Sequence, residues 1–247
     1  IERFTYRAAG INHLTWFTDM KIDGKDVYPK LHDKLKESGF DKKEPISKQL
    51  YDIYGLYPAP GDRHVGEFFP YYMKEEVLME QDYEWKNNDF KVVDGWREEA
   101  RVLFDEVRTK KEGYEEFLKG SGETATYFIR SLATGDISDE MVNVINNGYI
   151  DNVSSGIIVE LPTYIDEFGL HPQKIGKLPD AIAAQCDRLG REYLLMVEAA
   201  ATCNYELARQ AMFLDPLVSN CKYPELLLKD LIRANLDLLP EAWEKHC

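Results

Sequence analysis

Four ionisable side chains stand close together in one short stretch: Asp62, Arg63, His64 and, three residues beyond His64, Glu67. An acid beside two bases with a second acid nearby can move a proton or grip a polar ligand. Just before them, Pro58 and Pro60 fix φ and each removes an N–H, so neither a helix nor a central strand runs through those positions. Gly61 then allows a turn. Phe68, Phe69, Tyr71 and Tyr72 follow at once, an aromatic load that a solvated loop does not carry. The reading is a buried or half-buried loop whose charged groups satisfy one another. A polar cluster in an apolar wall is the make-up of a binding pocket; a structural salt-bridge corner is the alternative the residues leave open.

A second candidate lies upstream, in Gly10-Ile11-Asn12-His13-Leu14-Thr15-Trp16-Phe17. In extended geometry Ile11, His13, Thr15 and Phe17 share one face. His13 is then a lone imidazole among apolar neighbours. It is either a core histidine satisfied by a carbonyl or a metal ligand, since neutral imidazole suits divalent transition metals. Glu160, inside an apolar strand pattern, either faces solvent or meets a ligand.

These residues need elements to position them. Residues 1–18 and 142–166 read as strands of one antiparallel or mixed sheet, with Gly10 at a bulge or a close backbone approach and a turn at Asn146-Asn147-Gly148. Helices are expected over 27–38, 46–54 and 124–134, each followed by a glycine, and within 74–119, where Trp96, Ala100, Leu103 and Val107 keep the helical period. Asp41 to Glu44 reads as a solvated loop. Breaks are expected at Asn87-Asn88, Asp94-Gly95 and Gly120-Ser121-Gly122. From Pro179 onward the chain reads as helical, with Ile182, Cys186, Leu189, Tyr193, Val197 and Ala200 in one stripe and Met196 and Met212 as core filler. The fold class is therefore α/β, a mixed α+β sheet with surrounding helices.

Composition narrows the partners. The chain has 247 residues, 44% of them hydrophobic, with 44 acidic residues against 30 Lys plus Arg and a net charge of −14. That balance argues against nucleic acid or an anionic membrane. No apolar run is long enough to span a bilayer. Cys186, Cys203, Cys221 and Cys247 have no close metal spacing and read as free, mostly buried thiols of a reducing compartment. No glycine-rich phosphate loop is present. The chain opens inside a strand-like pattern at Ile1, which suggests the C-terminal part of a longer polypeptide.

Gly10-Ile11-Asn12-His13, Gly61-Asp62-Arg63-His64-Val65-Gly66-Glu67-Phe68, Asn147-Gly148-Tyr149-Ile150-Asp151-Asn152, Val159-Glu160-Leu161-Pro162 and Leu214-Asp215-Pro216-Leu217 together resemble glycoside hydrolase family four, the NAD-dependent glycosidases. The resemblance runs from about Ala8 to Pro240. It implies a fold similar to the C-terminal domain of lactate and malate dehydrogenases, with residues 1–247 forming a single catalytic domain and the NAD-binding Rossmann domain absent from this chain. It implies an exception to two-carboxylate glycosidase chemistry: oxidation by NAD at the sugar C3, loss of the C2 proton, elimination, addition of water and return of the hydride. A divalent metal, typically manganese (Mn2+), polarises the C2 and C3 oxygens. By this resemblance His13 is a metal ligand whose partner cysteine lies upstream. Asp62 is the base, with Tyr71 or Tyr72 as the fallback. Asn12, Arg63, His64 and Glu67 bind substrate. The Asp-Arg-His-x-x-Glu pattern looks closest to the α-galactosidase and α-galacturonidase branch, where Arg63 would pair a uronate carboxylate. The implied protein is a cytoplasmic homo-oligomer acting on a small-molecule glycoside, without nucleic acid or membrane. The competing readings are a non-catalytic subunit that keeps the fold without the cofactor domain, and a lactate- or malate-type dehydrogenase domain.

Overall fold

The computed structural model describes residues 3–72, 90–110, 115 and 124–246. Its centre is an antiparallel sheet. β1 (Phe4–Ile11) and β2 (Leu14–Ile22) form a hairpin, and the short β3 (Lys25–Asp26) pairs the far end of β2. β4 (Ser138–Ile145) and β5 (Ile158–Asp166) form a second antiparallel pair, extended by β6 (Gly169–Pro172). The two halves join where β1 meets β5, giving the order β3-β2-β1-β5-β4. Strands expected from opposite ends of the chain thus meet in one sheet.

The junction has a steric reason. Gly10 lies opposite Thr15 on one side and Glu160 on the other. A Cβ on Gly10 would stand 2.3 Å from the Leu14 carbonyl oxygen and 2.9 Å from the Thr15 Cα. Only a residue without a side chain lets the hairpin close this tightly at its turn.

Helices cover the sheet. α1 (Tyr28–Ser38), α2 (Phe40–Lys43) and α3 (Pro45–Tyr54) follow β3, and α4 (Asp62–Val65) leads into 3-10 turns at Gly66–Phe68 and Pro70–Tyr72. Gly39 and Gly55 take positive φ and end α1 and α3, as helix-terminal glycines do. Asp41 to Glu44 is not the solvated loop expected: α2 occupies most of it, and Glu44 is drawn into the α3–α4 junction described below. The expected 74–119 helix is described in part, as α5 (Phe90–Lys110). Gly95 does not break it, while Asn87-Asn88 and Gly120-Ser121-Gly122 lie outside the described residues. α6 (Ala125–Thr134) precedes β4, and α7 (Asp180–Thr202), α8 (Tyr205–Leu214) and α9 (Pro224–Ala234) make the helical C-terminal part.

One core holds the site elements together. Ile11, Leu14 and Trp16 of the hairpin pack with Ile46 and Leu50 of α3, Val65 of α4, Val159 and Leu161 of β5, and Ile182, Cys186 and Leu189 of α7. Each such fully buried aliphatic side chain contributes about 1.5–3 kcal/mol of transfer free energy, which locks hairpin, α3, α4 and α7 to one another. A second cluster of Leu228, Ile232 and Trp243 ties α9 to Tyr205 and Met212 of α8. The α7 stripe departs from the expectation. Its first half is buried as read, but Tyr193, Val197 and Ala200 are exposed, and the inner face runs instead through Gly190, Glu192 and Ala199. Met196 is likewise half exposed rather than core filler. Of the cysteines, Cys186, Cys203 and Cys221 are free thiols, and Cys186 alone of these is fully buried; Cys247 lies outside the described residues.

Candidate active site

His13 is not on a strand face. It stands in the turn between β1 and β2 with φ +63°, a region that β-strand residues do not occupy and that costs a non-glycine residue about 1 kcal/mol. The turn lifts the imidazole off the strand face expected and leaves it exposed. His64 of α4 lies against it, with ring centroids 4.2 Å apart and planes inclined by 33°. Of the 62–67 stretch, His64 meets His13 at this contact and Glu67 shares a cavity with it, whereas Asp62 and Arg63 line neither cavity that touches His13. Burial first, and the neighbouring His13 second, hold His64 below the usual imidazole range, with Glu67 pulling the other way. His64 is therefore neutral at pH 7 and can offer a ring nitrogen as acceptor.

Backbone pairing places α4 here. The Phe17 amide donates to the Tyr57 carbonyl at 2.9 Å and the Ala59 amide to the Thr15 carbonyl at 2.8 Å. Pro58 sits in this bridge to Trp16, at an edge where its missing N–H does no harm. The 57–59 segment is thereby riveted alongside the β1–β2 turn, and α4 begins just beyond it.

Asp62 is held by backbone amides. Its two carboxylate oxygens accept the backbone amides of Ile46 at 2.8 Å and Ser47 at 2.7 Å. These are orphan donors in the first turn of α3, which has no cap from its own N-cap residue. The Asp62 amide in turn donates to Glu44 at 2.6 Å, whose carboxyl is raised by burial and by the nearby Asp62 charge. Asp62 lines neither cavity that touches His13. Satisfaction by backbone amides replaces the mutual pairing expected of this acid, and the geometry is that of a helix anchor. The tyrosines named as fallback are engaged too. Tyr72 is buried and its hydroxyl donates to Gln49 at 2.7 Å. Burial and Tyr54 push the Tyr71 hydroxyl far above the ordinary phenol range. Arg63 is exposed on α4.

His13 borders two cavities. One, of about 430 Å3, is lined by Asn12, His13, Glu67, Arg188, Glu192 and Asp215, with the rings of Phe68 and Tyr193 in its wall. The other, of about 310 Å3, lies on the opposite side of the turn, where His13 meets Thr15, Ala59, Pro60 and Glu160. Glu160 accepts the Thr15 hydroxyl there, so of the two alternatives it faces a cavity. A third hollow of about 440 Å3, between β1 and β4, does not touch His13 but shares Tyr6 and Met141 with the second cavity, and its Lys21 and Asp19 pair with each other at 2.7 Å.

Glu192 was not anticipated. It is 4% exposed. Arg188, one turn earlier on α7, reaches it at 3.3 Å and also donates to the Leu214 carbonyl at 3.4 Å. Burial foremost, then the Asp215 charge, push the Glu192 carboxyl up to about 7 against the pull of Arg188. The signal was an acid three residues after Leu189 on the inner side of an amphipathic helix, overlooked when the stripe was drawn through Tyr193. Asp215, read from the sequence only as part of a motif and given no role, accepts the Leu217 amide on its side chain at 2.8 Å and starts the next turn of chain.

The metal implied by the resemblance is not matched by a full donor set in this chain. No three His, Cys, Asp or Glu side chains gather into a metal-holding group among the described residues. His13 and His64 supply two imidazoles at most, fewer than a protein metal site ordinarily takes. No helix among the described residues is long and apolar enough to cross a membrane.

Comparison with known proteins fits this arrangement of hairpin turn, α4 and α7. An α-galactosidase of Bacillus subtilis (strain 168) is 30% identical over 249 residues, covering 95% of this chain and 55% of the relative. An α-galacturonidase of Thermoanaerobacterium saccharolyticum is 30% identical over 265 residues, covering 98% of this chain and 56% of its own length. Among solved structures, the putative glucosidase lplD of Bacillus subtilis superposes with a TM-score of 0.76 at 26% identity, covering 92% of this chain and 55% of that one. A 6-phospho-α-glucosidase from gut microorganisms, in complex with NAD and glucose-6-phosphate, gives 0.76 at 25% identity, with 96% and 55% covered. The chain thus spans about half the length of the relatives it matches. Residues 8–218 match the family 4 glycosyl hydrolase C-terminal domain, and with the dehydrogenase-like mixed α/β sheet around His13 already described, the chain belongs to glycosyl hydrolase family 4 as its C-terminal part.

Proposed function

We propose that this chain is the substrate-binding half of an α-glycosidase acting on an α-galactoside or α-galacturonide, and that the whole protein works with NAD and a divalent metal such as manganese. The observation that carries the reading is His13, held at positive φ in a family-4 chain, packed against His64 and bordering two cavities that set a few charged and polar groups in largely apolar walls. The choice of sugar follows the α-galactosidase and α-galacturonidase relatives; the choice of cofactors follows family neighbours crystallised with NAD and manganese. When bound, those groups supply reversible hydride acceptance and polarisation of sugar oxygens. Their remaining ligands would come from residues outside this chain. The residues here bind and orient. His13 presents a ring nitrogen, and His64 fixes the plane of that ring. Asn12 and Glu67 hydrogen-bond the sugar at the cavity rim, and Asp62 holds α3 and α4 in register so that His64 stays in place.

The test is turnover by the full-length polypeptide. With nitrophenyl α-galactoside and α-galacturonide, release of nitrophenol is expected only when NAD and Mn2+ are both added, and is expected to stop on chelation. No release from either sugar under these conditions would favour the non-catalytic subunit.

Association belongs to the same reading. The second half of α7 leaves Leu194 46% and Val197 67% exposed, apolar residues out of place on a solvated helix. We propose a homo-oligomer with helical contacts through these residues. Light scattering is expected to give at least twice the protomer mass at micromolar concentration, and Val197→Glu to halve it; monomer alone at high micromolar concentration would end the idea.

A further inference from the structure

We propose that Arg188 and Glu192 are specificity-determining residues that read the hydroxyls of a neutral glycoside in the cavity beside His13, and that the wall of this cavity disfavours a sugar carrying a carboxylate or phosphate. The inference rests on the preceding reading that the cavity receives the sugar.

The pair is built into the wall rather than resting on the surface. Glu192 is 4% exposed and Arg188 follows the same helix face. The contacts that hold Arg188 are long, 3.3 Å to Glu192 and 3.4 Å to the Leu214 carbonyl, and both use the same Nη1. Its Nε and Nη2 donors have no partner among the described residues, and they sit on a residue that lines the cavity. A guanidinium offering two donors beside a carboxylate offering an acceptor matches two neighbouring sugar hydroxyls, one accepting and one donating. Phe68 and Tyr193 supply apolar ring surface for the C–H face of a hexose, the usual pairing of a few placed polar groups with an apolar wall.

Charge selects among the sugars. Among the described residues around the cavity, Glu67, Glu192 and Asp215 face one cation, Arg188. On the far side of His13 the second cavity adds Glu160 and has no Lys or Arg among the described residues of its wall. An anionic sugar would approach against this excess, and Arg188 is already matched by Glu192. Like charges brought together in a partly desolvated cavity repel. Arg63, which the sequence suggested for a uronate, lines neither cavity. Near neutrality the Glu192 carboxyl is divided between its two protonation states, and either state can hydrogen-bond a hydroxyl.

The experiment uses the full-length protein with NAD and Mn2+. Wild type is expected to show kcat/KM at least about tenfold higher for nitrophenyl α-galactoside than for the α-galacturonide. Glu192→Gln is expected to raise KM for the galactoside about tenfold, with the loss in KM larger than that in kcat. The double change Glu67→Gln with Asp215→Asn, which neutralises the wall, is expected to narrow the galactoside-to-galacturonide ratio about tenfold. In parallel, calorimetry with free galactose and free galacturonate reads the same preference without turnover, and thermal melts exclude unfolded variants. A wild-type preference for the galacturonide, or for galacturonate in the calorimeter, would overturn the inference, as would a ratio unmoved in a folded double variant. Absence of turnover with either sugar would instead defeat the preceding reading, and the binding comparison would still decide this one.

Discussion

His13→Gly is expected to abolish turnover of the full-length enzyme, by at least about a thousandfold in kcat, while leaving unfolding free energy within about 1 kcal/mol of wild type. The two halves of this expectation have separate causes. A thousandfold loss corresponds to about 4 kcal/mol of transition-state stabilisation, the scale expected when a ligand to a Lewis-acid metal is removed. Stability is spared because His13 is exposed in a hairpin turn with φ +63°, where glycine relieves the backbone strain and its greater freedom in the unfolded chain offsets that gain. The ring contact with His64 is the packing that is lost. Steady-state rates at saturating Mn2+ and urea melts of the same preparations read both. Turnover within tenfold of wild type, still dependent on metal, would remove His13 from the site.

The same residue marks where sequence reasoning succeeds and where it stops. Gly10 announced a close backbone approach, and the approach is there, because a side chain at that point collides with the Leu14 carbonyl. The change from strand to helical period after Pro179 was readable because α7, α8 and α9 bury apolar residues at helical spacing. His13 was misplaced because Asn12 alone, amid residues from Ile11 to Phe17 that otherwise suit a strand, marked the turn, and one asparagine was too weak a turn signal; the turn is a two-residue hairpin closed by the pairing of Ile11 with Leu14. Asp62 and Glu192 show one limit from opposite sides. The types of residue near a site are visible in sequence, but their partners are not. Asp62 had the motif of a catalytic acid, and the donors that claim it lie on α3. Glu192 had no motif, and its interest arises from Asp215, Arg188 and the cavity that folding assembles around it.

Asp62→Ala is expected to lower stability by about 3 kcal/mol or more. Two amides in the first turn of α3, those of Ile46 and Ser47, would lose charge-assisted hydrogen bonds of 2.8 and 2.7 Å, each contributing about 1.5–3 kcal/mol. Water can replace part of this, since Asp62 is only half-buried, but Ile46 and Ser47 themselves are fully buried. The negative charge also favours the positive end of α3. Asp62→Asn keeps the shape and one acceptor oxygen, so it should lose about half as much. Urea titration followed by far-ultraviolet circular dichroism measures both. The substitution also separates the anchor from the base suggested by the resemblance. A base is needed in the proton-transfer step itself, whereas an anchor acts through the position of α4 and His64. In the full-length enzyme, Asp62→Asn should therefore exchange the sugar C2 proton with solvent within about tenfold of the wild-type rate per folded molecule, with the remaining defect in KM. If exchange instead falls by the hundredfold or more that removal of a general base brings, in a variant that melts like wild type, then Asp62 is the base and the hydrogen bonds to α3 are what hold it ready.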